Sequence, residues 1–218
     1  MLTDIVQEWS QYAYNMGSKI YLQENFVICV NEKTELSCNF SNCVITTQEN
    51  YVKAQKYDQF FKGREYALYQ LGETEQNKQF TNNWKQGTIM LLDLNQIEIR
   101  NVNEECPRNK ELSSCKYATL NEEEMGKFRD VVFNAFSYDI KFSQPSEEIY
   151  RVGLKSGGVR FYGLKTNGDL KSVALVHFDQ KKGFGGMELV STRIDSQKKG
   201  YARLLLNHIF ASERSLEL

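Results

Sequence analysis

Two lysines and a glycine stand between a predicted strand and a predicted helix in the segment from Gln197 to Ala202. A run rich in β-branched residues ends at Ile194, and an apolar helical pattern extends from about Tyr201 to Phe210. A strand, a glycine-containing turn and a helix present free backbone N–H groups at the start of the helix, where phosphates bind. We therefore expect a phosphorylated ligand at this turn.

Two common phosphate-binding motifs do not fit this segment. A Walker-type loop needs a wider glycine spacing followed by Gly-Lys-Ser/Thr, whereas Tyr201 follows Gly200 here. A dinucleotide-binding loop needs its glycines between a strand and a helix, but the run from Gly183 to Gly186 precedes a predicted strand. The sequence therefore disfavours nucleotide-dependent dehydrogenase chemistry.

The elements that position this turn form the second half of the chain, which we place at residues 114–218. Asn121 and Glu124 have the spacing of a capping box, and they predict a helix whose apolar face continues to Phe136. A second helix is predicted from Ser146 to Leu154. A meander of three antiparallel strands follows, with an Asn-Gly hairpin turn between the first two: Val159–Lys165, Lys171–Phe178 and Met187–Ile194.

The first half, residues 1–113, is predicted to be a separate α/β domain. Helical spacing of apolar residues predicts a helix over residues 2–16, and the polar segment Asn101–Cys115 is predicted to be the linker. The overall class is α+β (mixed α/β). Further elements are predicted as strands at Asn25–Asn31, Asn42–Thr47, Glu65–Leu71 and Thr88–Leu94, and as a helix at Tyr51–Phe61.

The pattern Gln197-x-x-Gly200-x-Ala202 resembles the Q/R-x-x-G-x-G/A signature of the GNAT superfamily, the acyl-CoA-dependent N-acetyltransferases. The resemblance extends over roughly Tyr117 to Phe210 and includes the two helices, the antiparallel meander and the order of the elements. It implies acetyl-CoA as cosubstrate and direct attack of a primary amine on the acyl thioester. The six-residue pattern alone is more typical of a plain turn, whereas its context favours cofactor binding.

The resemblance also implies which residues bind the cofactor. The free N–H groups of the first helical turn would bind the pyrophosphate, Gly200 would allow its close approach, and Ala202 would leave room beside it. The preceding strand would offer backbone groups to the pantetheine arm and to the thioester carbonyl. The cofactor-binding residues are thus predicted to be Val190, Ser191, Thr192, Gln197, Lys198, Lys199, Gly200, Tyr201 and Ala202.

The reaction needs a base that keeps the attacking amine neutral. Glu188 is the nearest candidate, because several members of the family use a glutamate on this strand. The alternative is that Glu188 is an ordinary solvent-facing or paired strand residue. His177 and His208 can titrate near neutrality, but a lone histidine is more often structural.

The sequence departs from the family after the helix that follows Gly200. The family continues with strands that complete the cofactor groove and often supply a tyrosine acid, whereas this sequence ends at Leu218. Three alternatives are open. The first is that the sequence is truncated. The second is that a strand of the first half, or of a second copy in a homodimer, fills the open sheet edge. The third alternative is a non-catalytic CoA-binding or protein-interaction module with the same fold. The first half resembles the degenerate first domain of tandem acetyltransferases, and we expect it to shape the substrate site.

Composition excludes several other classes. The net charge of -1 and the lack of a long basic run argue against nucleic-acid binding, and no segment approaches the about 18 apolar residues of a membrane span. Residues 1–9 lack the basic start of a secretory signal, so we expect a cytoplasmic protein with 5 reduced cysteines. Cys38 and Cys43 have no second pair or nearby histidine, so no metal site is expected.

Overall fold

The computed structural model describes residues 2–22, 26–33, 42–46, 58–62, 67–70, 114–179 and 184–214. The predicted strand at Thr88–Leu94 lies outside the described residues, as does nearly all of the predicted linker. In the first half, the elements are α1 (Leu2–Asn15), β1 (Lys19–Leu22), β2 (Phe26–Val30), β3 (Asn42–Thr46), α2 (Asp58–Phe61) and β4 (Ala67–Gln70).

The second half matches the predicted order of helices and meander strands. Its elements are β5 (Lys116–Thr119), α3 (Met125–Phe136), α4 (Ser143–Ser156), β6 (Val159–Thr166), β7 (Asp169–Asp179), β8 (Phe184–Thr192) and α5 (Tyr201–Arg214). None of the helices in the described ranges combines the length and the apolar character that crossing a membrane requires.

The described strands form two four-stranded sheets. In the first sheet β1, β2 and β3 are antiparallel and β4 runs parallel to β3, whereas β5 to β8 form a fully antiparallel sheet in sequence order. The turn between β6 and β7 has positive φ angles at Asn167 (53°) and Gly168 (86°), as a type I′ turn requires. The predicted α+β class with an antiparallel meander is therefore confirmed.

Local sequence signals set the ends of the helices in the second half. Asn121 and Glu124 make the predicted capping box, which opens a short 3₁₀ turn that leads directly into α3. Gly157, with φ of 74°, ends α4 in the left-handed conformation that a glycine adopts without strain. The helix predicted from Ser146 begins earlier, at Ser143, because a 3₁₀ turn capped by Asp139 precedes it.

Two apolar cores lie on the two faces of the second sheet. The smaller one joins α5 to the face that carries Tyr162, Ala174 and Val176. The larger one joins the opposite face to α3, α4, α1, β2 and β3, so that residues from both halves of the chain share it. Met16 of α1 lies against Gly153 of α4, where a Cβ atom would overlap its sulfur. The predicted division at residues 113 and 114 stays a prediction.

A buried carboxylate ties α5 to the second sheet. Glu213, which is 3% exposed, accepts hydrogen bonds from the Tyr162 hydroxyl and, at 2.8 Å, from Nη1 of Arg160. The Arg160 guanidinium also lies 4.6 Å from the centre of the Phe178 ring. Burial and the Glu213 carboxylate raise the pKa of Tyr162 to about 12. These contacts hold the helix whose first turn forms part of the predicted cofactor site.

We expect Glu213→Gln to destabilise the protein by about 2 kcal/mol, because the neutral amide loses the charge-assisted bond to Arg160. Urea unfolding measures the change. Glu123→Gln, which alters an exposed carboxylate at the start of the capping-box turn, is the control and should leave the free energy of unfolding nearly unchanged. Equal stability of Glu213→Gln and wild type would contradict the prediction.

Candidate functional site

The segment between β8 and α5 forms a tight turn with two left-handed residues. A 3₁₀ turn at Ile194–Ser196 follows β8, and then Lys198 (φ 61°) and Gly200 (φ 92°) reverse the chain before α5 begins at Tyr201. The Gly200 carbonyl accepts the bond from the Leu204 N–H at 3.1 Å. The first N–H groups of α5 therefore lie at the position where the sequence predicts a phosphate.

Hydrogen bonds hold this turn against β7, β8 and α3. Nε2 of Gln197 donates to the Thr192 carbonyl at 3.1 Å, and the Arg193 N–H donates to the Lys171 carbonyl at 3.0 Å. The Ile194 N–H donates to Oδ1 of Asn134 at 2.8 Å. The side chain of Gln197 thus fastens the turn to the strand that precedes it.

The exposed surface of the turn is basic. Lys198 and Lys199 are exposed, and the first turn of α5 carries no acidic residue. The Tyr201 side chain, by contrast, is 3% exposed and packs in the smaller core with Leu204 and Leu205. A ligand at the turn would therefore meet the backbone of Tyr201 and not its ring.

A bulge interrupts β8 within the segment predicted to contact the acyl group. Ser191 pairs with Val173 and Glu188 pairs with Leu175, so two residues of β8, Leu189 and Val190, stand opposite one residue of β7. Leu189 has φ of 53°, and the Val190 side chain is exposed. A bulge leaves backbone groups outside the regular ladder, so this position offers hydrogen-bonding groups to a ligand.

The residues that follow the bulge are occupied within the sheet. The Ser191 carbonyl accepts from Oγ of Ser172 at 2.9 Å, and Oγ of Ser191 donates to the Leu189 carbonyl at 2.9 Å. Oγ1 of Thr192 lies 3.0 Å from Oγ of Ser172. Of the three β8 residues predicted to bind the cofactor, Val190 is thus the most exposed, while Ser191 and Thr192 brace the strand.

Glu188 lies on the sheet face that α1 covers. It pairs with Leu175, whose side chain is in the larger core, and its own side chain is partly buried. Burial raises the pKa of the Glu188 carboxyl, and the nearby charge of His177 opposes that rise. A carboxyl with a raised pKa is better matched to accept a proton near neutral pH than an exposed one.

A group that sequence reasoning missed adjoins Glu188. The ring of Tyr12, from α1, stacks on His177 with 4.5 Å between ring centroids and an interplanar angle of 21°. The helical spacing placed Tyr12 on the apolar face of α1, but no local signal connects that face to β7. His208, the other histidine, stacks instead on Tyr117 on the opposite side of the sheet.

The turn and Glu188 lie toward different ends of one continuous segment. Thr192, to which Gln197 is hydrogen-bonded, pairs with Ser172, and Glu188 pairs with Leu175, so about 10 Å of sheet separates them at about 3.3 Å per residue of β7. A ligand that has its phosphates at the turn and its reactive group beside Glu188 must therefore be long and thin. Among the described residues, no cluster of three His, Cys, Asp or Glu side chains could hold a metal ion.

Comparisons with known proteins give similarity in structure only. No protein-family model and no curated protein matches the sequence. One similar solved structure is a putative GNAT-family acetyltransferase from Desulfovibrio desulfuricans, with 14% identity and a TM-score of 0.42 over 47% of this chain and 68% of that chain.

Two further similar solved structures contain acetyl-CoA or coenzyme A. A predicted acetyltransferase with acetyl-CoA from Clostridium acetobutylicum has 11% identity and a TM-score of 0.41 over 48% of this chain and 76% of that one. The PaiA N-acetyltransferase from Thermoplasma acidophilum, in complex with coenzyme A, has 9% identity and a TM-score of 0.42 over 48% and 74%. At these values the likeness concerns the fold of one part of the chain and not its activity. This chain is similar over about half of its length to GNAT-family acetyltransferases, the family whose signature its turn resembles.

Proposed function

We propose that this protein transfers an acetyl group from acetyl-CoA to a primary amine. The observation that carries the proposal is the geometry of β8 and α5. β8 carries the partly buried carboxyl of Glu188 and then a bulge. A basic turn that is hydrogen-bonded to the end of β8 connects this strand to α5. This arrangement suits an extended ligand with phosphates at one end and a reactive thioester at the other.

The basic turn would bind the pyrophosphate. Lys198 and Lys199 supply positive charge, and the N–H groups at Gly200, Tyr201 and Ala202 supply donors at the positive end of the α5 dipole. Backbone groups at the bulge, beside Val190, would bind the pantetheine arm and the thioester carbonyl. An N–H donor directed at that oxygen stabilises the negative charge that develops on it.

Glu188 would act as the general base. The amine nitrogen forms a bond to the thioester carbonyl carbon, and the bond from that carbon to sulfur breaks. Glu188 accepts the proton that the attacking nitrogen loses, directly or through a water molecule. The thiolate of CoA leaves and takes up one proton from solvent, and Glu188 releases its proton to solvent, which restores the ionised base. Atoms and charge balance without a metal or a further cosubstrate.

Isothermal titration calorimetry with acetyl-CoA tests the binding half of the proposal. We expect a single site with a dissociation constant on the order of micromolar, which lies within the usual range of KM values for enzyme substrates. A folded protein that gives no binding heat and no shift in melting temperature with acetyl-CoA would refute the proposal.

A panel of primary amines then tests the chemical half. Free CoA thiol is measured as acetyl-CoA is consumed, with the reaction lacking amine as the blank. Binding of acetyl-CoA without transfer to any amine of the panel would favour the non-catalytic CoA-binding module.

We further propose that β8, the outer strand of the second sheet among the described residues, pairs with another segment in the working protein. An unpaired strand edge is a template for association, so a second copy of this chain is the partner to test first. Light scattering across a concentration series should show a dimer, and a monomer at every concentration would exclude that partner.

A further inference from the structure

Glu188 and His177 occupy diagonal positions on one face of the second sheet. His177 of β7 pairs with Gly186 of β8, and Leu175 pairs with Glu188, so the two titratable residues are offset by two residues along the strands. Diagonal neighbours of this kind lie within reach of long side chains. The influence of the His177 charge on the Glu188 carboxyl agrees with this placement.

The imidazole of His177 reaches across the neighbouring strand. A Cβ atom built on Gly186 would overlap Nε2 of His177 and would lie 2.5 Å from its Cε1. The Nε2 end of the ring therefore lies over the backbone of β8, the strand that carries Glu188. A glycine inside a strand often marks a close approach of this kind, which gives a physical reason for Gly186 within β8.

Tyr12 covers one face of the imidazole. Its ring stacks on that of His177 and is 0% exposed, while His177 is 1% exposed. The ring of His177 is thus held between an aromatic residue from the first half of the chain and a glycine of the second half. A ring that is stacked on one face and closely approached at its Nε2 end has few rotamers open to it, so its position over β8, beside the strand position of Glu188, is fixed.

We propose that His177, clamped between Tyr12 and Gly186, is a positioning residue for the Glu188 carboxyl on the neighbouring strand. This inference rests on the proposed function, since it assigns a partner to the proposed base. It also makes α1 a component of the active site, because the helix supplies one wall of the clamp.

The groups around Glu188 determine whether the loss of His177 raises or lowers the pKa of its carboxyl. Tyr12 is the titratable residue that α1 directs at the cluster, Tyr150 of α4 lies in the same core, and α3 contributes apolar side chains there. Burial alone raises the pKa of Glu188, and the positive charge of His177 restrains that rise. Removing His177 therefore raises the pKa of Glu188 further and lowers the fraction of ionised base at a given acidic pH.

His177→Gln tests the proposal, with His208→Gln as the matched control. The carboxyl signal of Glu188 is followed by NMR on protein labelled with ¹³C-glutamate, without acetyl-CoA, and is assigned by its loss in Glu188→Gln. We expect the titration midpoint of Glu188 to move to higher pH in His177→Gln and to stay in place in His208→Gln. An unchanged or lower midpoint in His177→Gln would overturn the proposal.

Kinetics provide the second measurement. We expect the acidic limb of the kcat/KM profile to move to higher pH in His177→Gln, with KM for acetyl-CoA unchanged. If wild type transfers acetyl to no amine while the Glu188 midpoint still moves, the proposed function fails and the coupling stands. If wild type is active and neither the limb nor the midpoint moves, the coupling fails and the proposed function stands.

Gly186→Ala keeps the test decisive if His177→Gln does not fold. The added methyl displaces the imidazole and leaves both titratable groups in the chain, so the Glu188 midpoint should again move to higher pH. A double-mutant cycle measures the free energy of unfolding. Gly186→Ala should lower it much less in a His177→Ala background than in wild type, because the ring with which the methyl collides is gone. If the two substitutions change the free energy of unfolding additively, the proposed contact between Gly186 and His177 is contradicted.

Discussion

Gly200→Asp is expected to weaken acetyl-CoA binding by about two to four orders of magnitude. Gly200 has φ of 92°, a conformation that residues with a side chain rarely adopt. Strain at this position moves the first N–H groups of α5, and the carboxylate repels phosphates at the site. Losing two charge-assisted hydrogen bonds at about 1.5–3 kcal/mol each accounts for an effect of this size. Calorimetry with acetyl-CoA measures it.

Gly168→Asp is the matched control for Gly200→Asp. Gly168 has φ of 86° in the hairpin turn between β6 and β7, and a Cβ atom there would meet nothing within 4 Å. This variant carries the same added charge and a similar backbone strain away from the turn. It should lose stability in thermal unfolding yet keep wild-type affinity for acetyl-CoA.

Gly200→Asn separates the two causes. The amide adds the bulk of the carboxylate without its charge, so its affinity should lie between those of wild type and Gly200→Asp. Wild-type affinity in a folded Gly200→Asp protein would show that the phosphates bind elsewhere.

Glu188→Gln is expected to lower kcat by about 10²–10⁴-fold, the usual contribution of a general base. The amide has nearly the same shape as the carboxylate but cannot accept a proton from the amine, so the affinity for acetyl-CoA should stay unchanged. Stopped assays of kcat together with calorimetry separate the two effects. Glu123→Gln, at an exposed position outside the site, should behave like wild type.

The pH dependence gives a second criterion for Glu188. Because burial raises the pKa of this carboxyl, wild-type activity should fall as the pH drops through a value higher than the ordinary pKa of glutamate. The fall should be absent from the residual activity of Glu188→Gln. A kcat in Glu188→Gln equal to that of wild type would remove Glu188 from the mechanism.

Elements that depend on local interactions were predictable from the sequence. The capping box at Asn121 and the hairpin at Asn167 involve residues within four positions of each other, and both are confirmed. The strands β2, β3 and β4 lie within their predicted bounds for the same reason, since runs of β-branched and aromatic residues set them.

Features that depend on distant pairing were not predictable. The short strands β1 and β5 carry no clear alternation and are ordered by their neighbours in the sheets. The predicted strands end at Phe178 and begin again at Met187, whereas β7 extends to Asp179 and β8 begins at Phe184, because the ladder between them continues that far. The bulge at Leu189 follows from the register of that ladder.

The candidate site likewise has one part that local sequence signals predict and one part that depends on contacts between distant residues. The turn from Gln197 to Ala202 could be predicted as a candidate site because its residues are adjacent in the chain and its strand and helix are regular. The clamp around His177 was missed, because Tyr12 and His177 meet only after α1 packs on the second sheet. Periodicity shows that a helix has an apolar face, but it does not show which residues will cover that face.

The packing of α1 on β7 has a consequence for synthesis of the chain. The apolar face of α1, with Tyr12, Ala13 and Met16, leaves the ribosome long before β7 exists to cover it. At about 5–20 residues per second, that delay is of the order of ten seconds. During this interval the part of the face that β7 later covers is exposed to chaperones and to other nascent chains. The clamp around His177 can therefore form only late in folding, after the second sheet is complete.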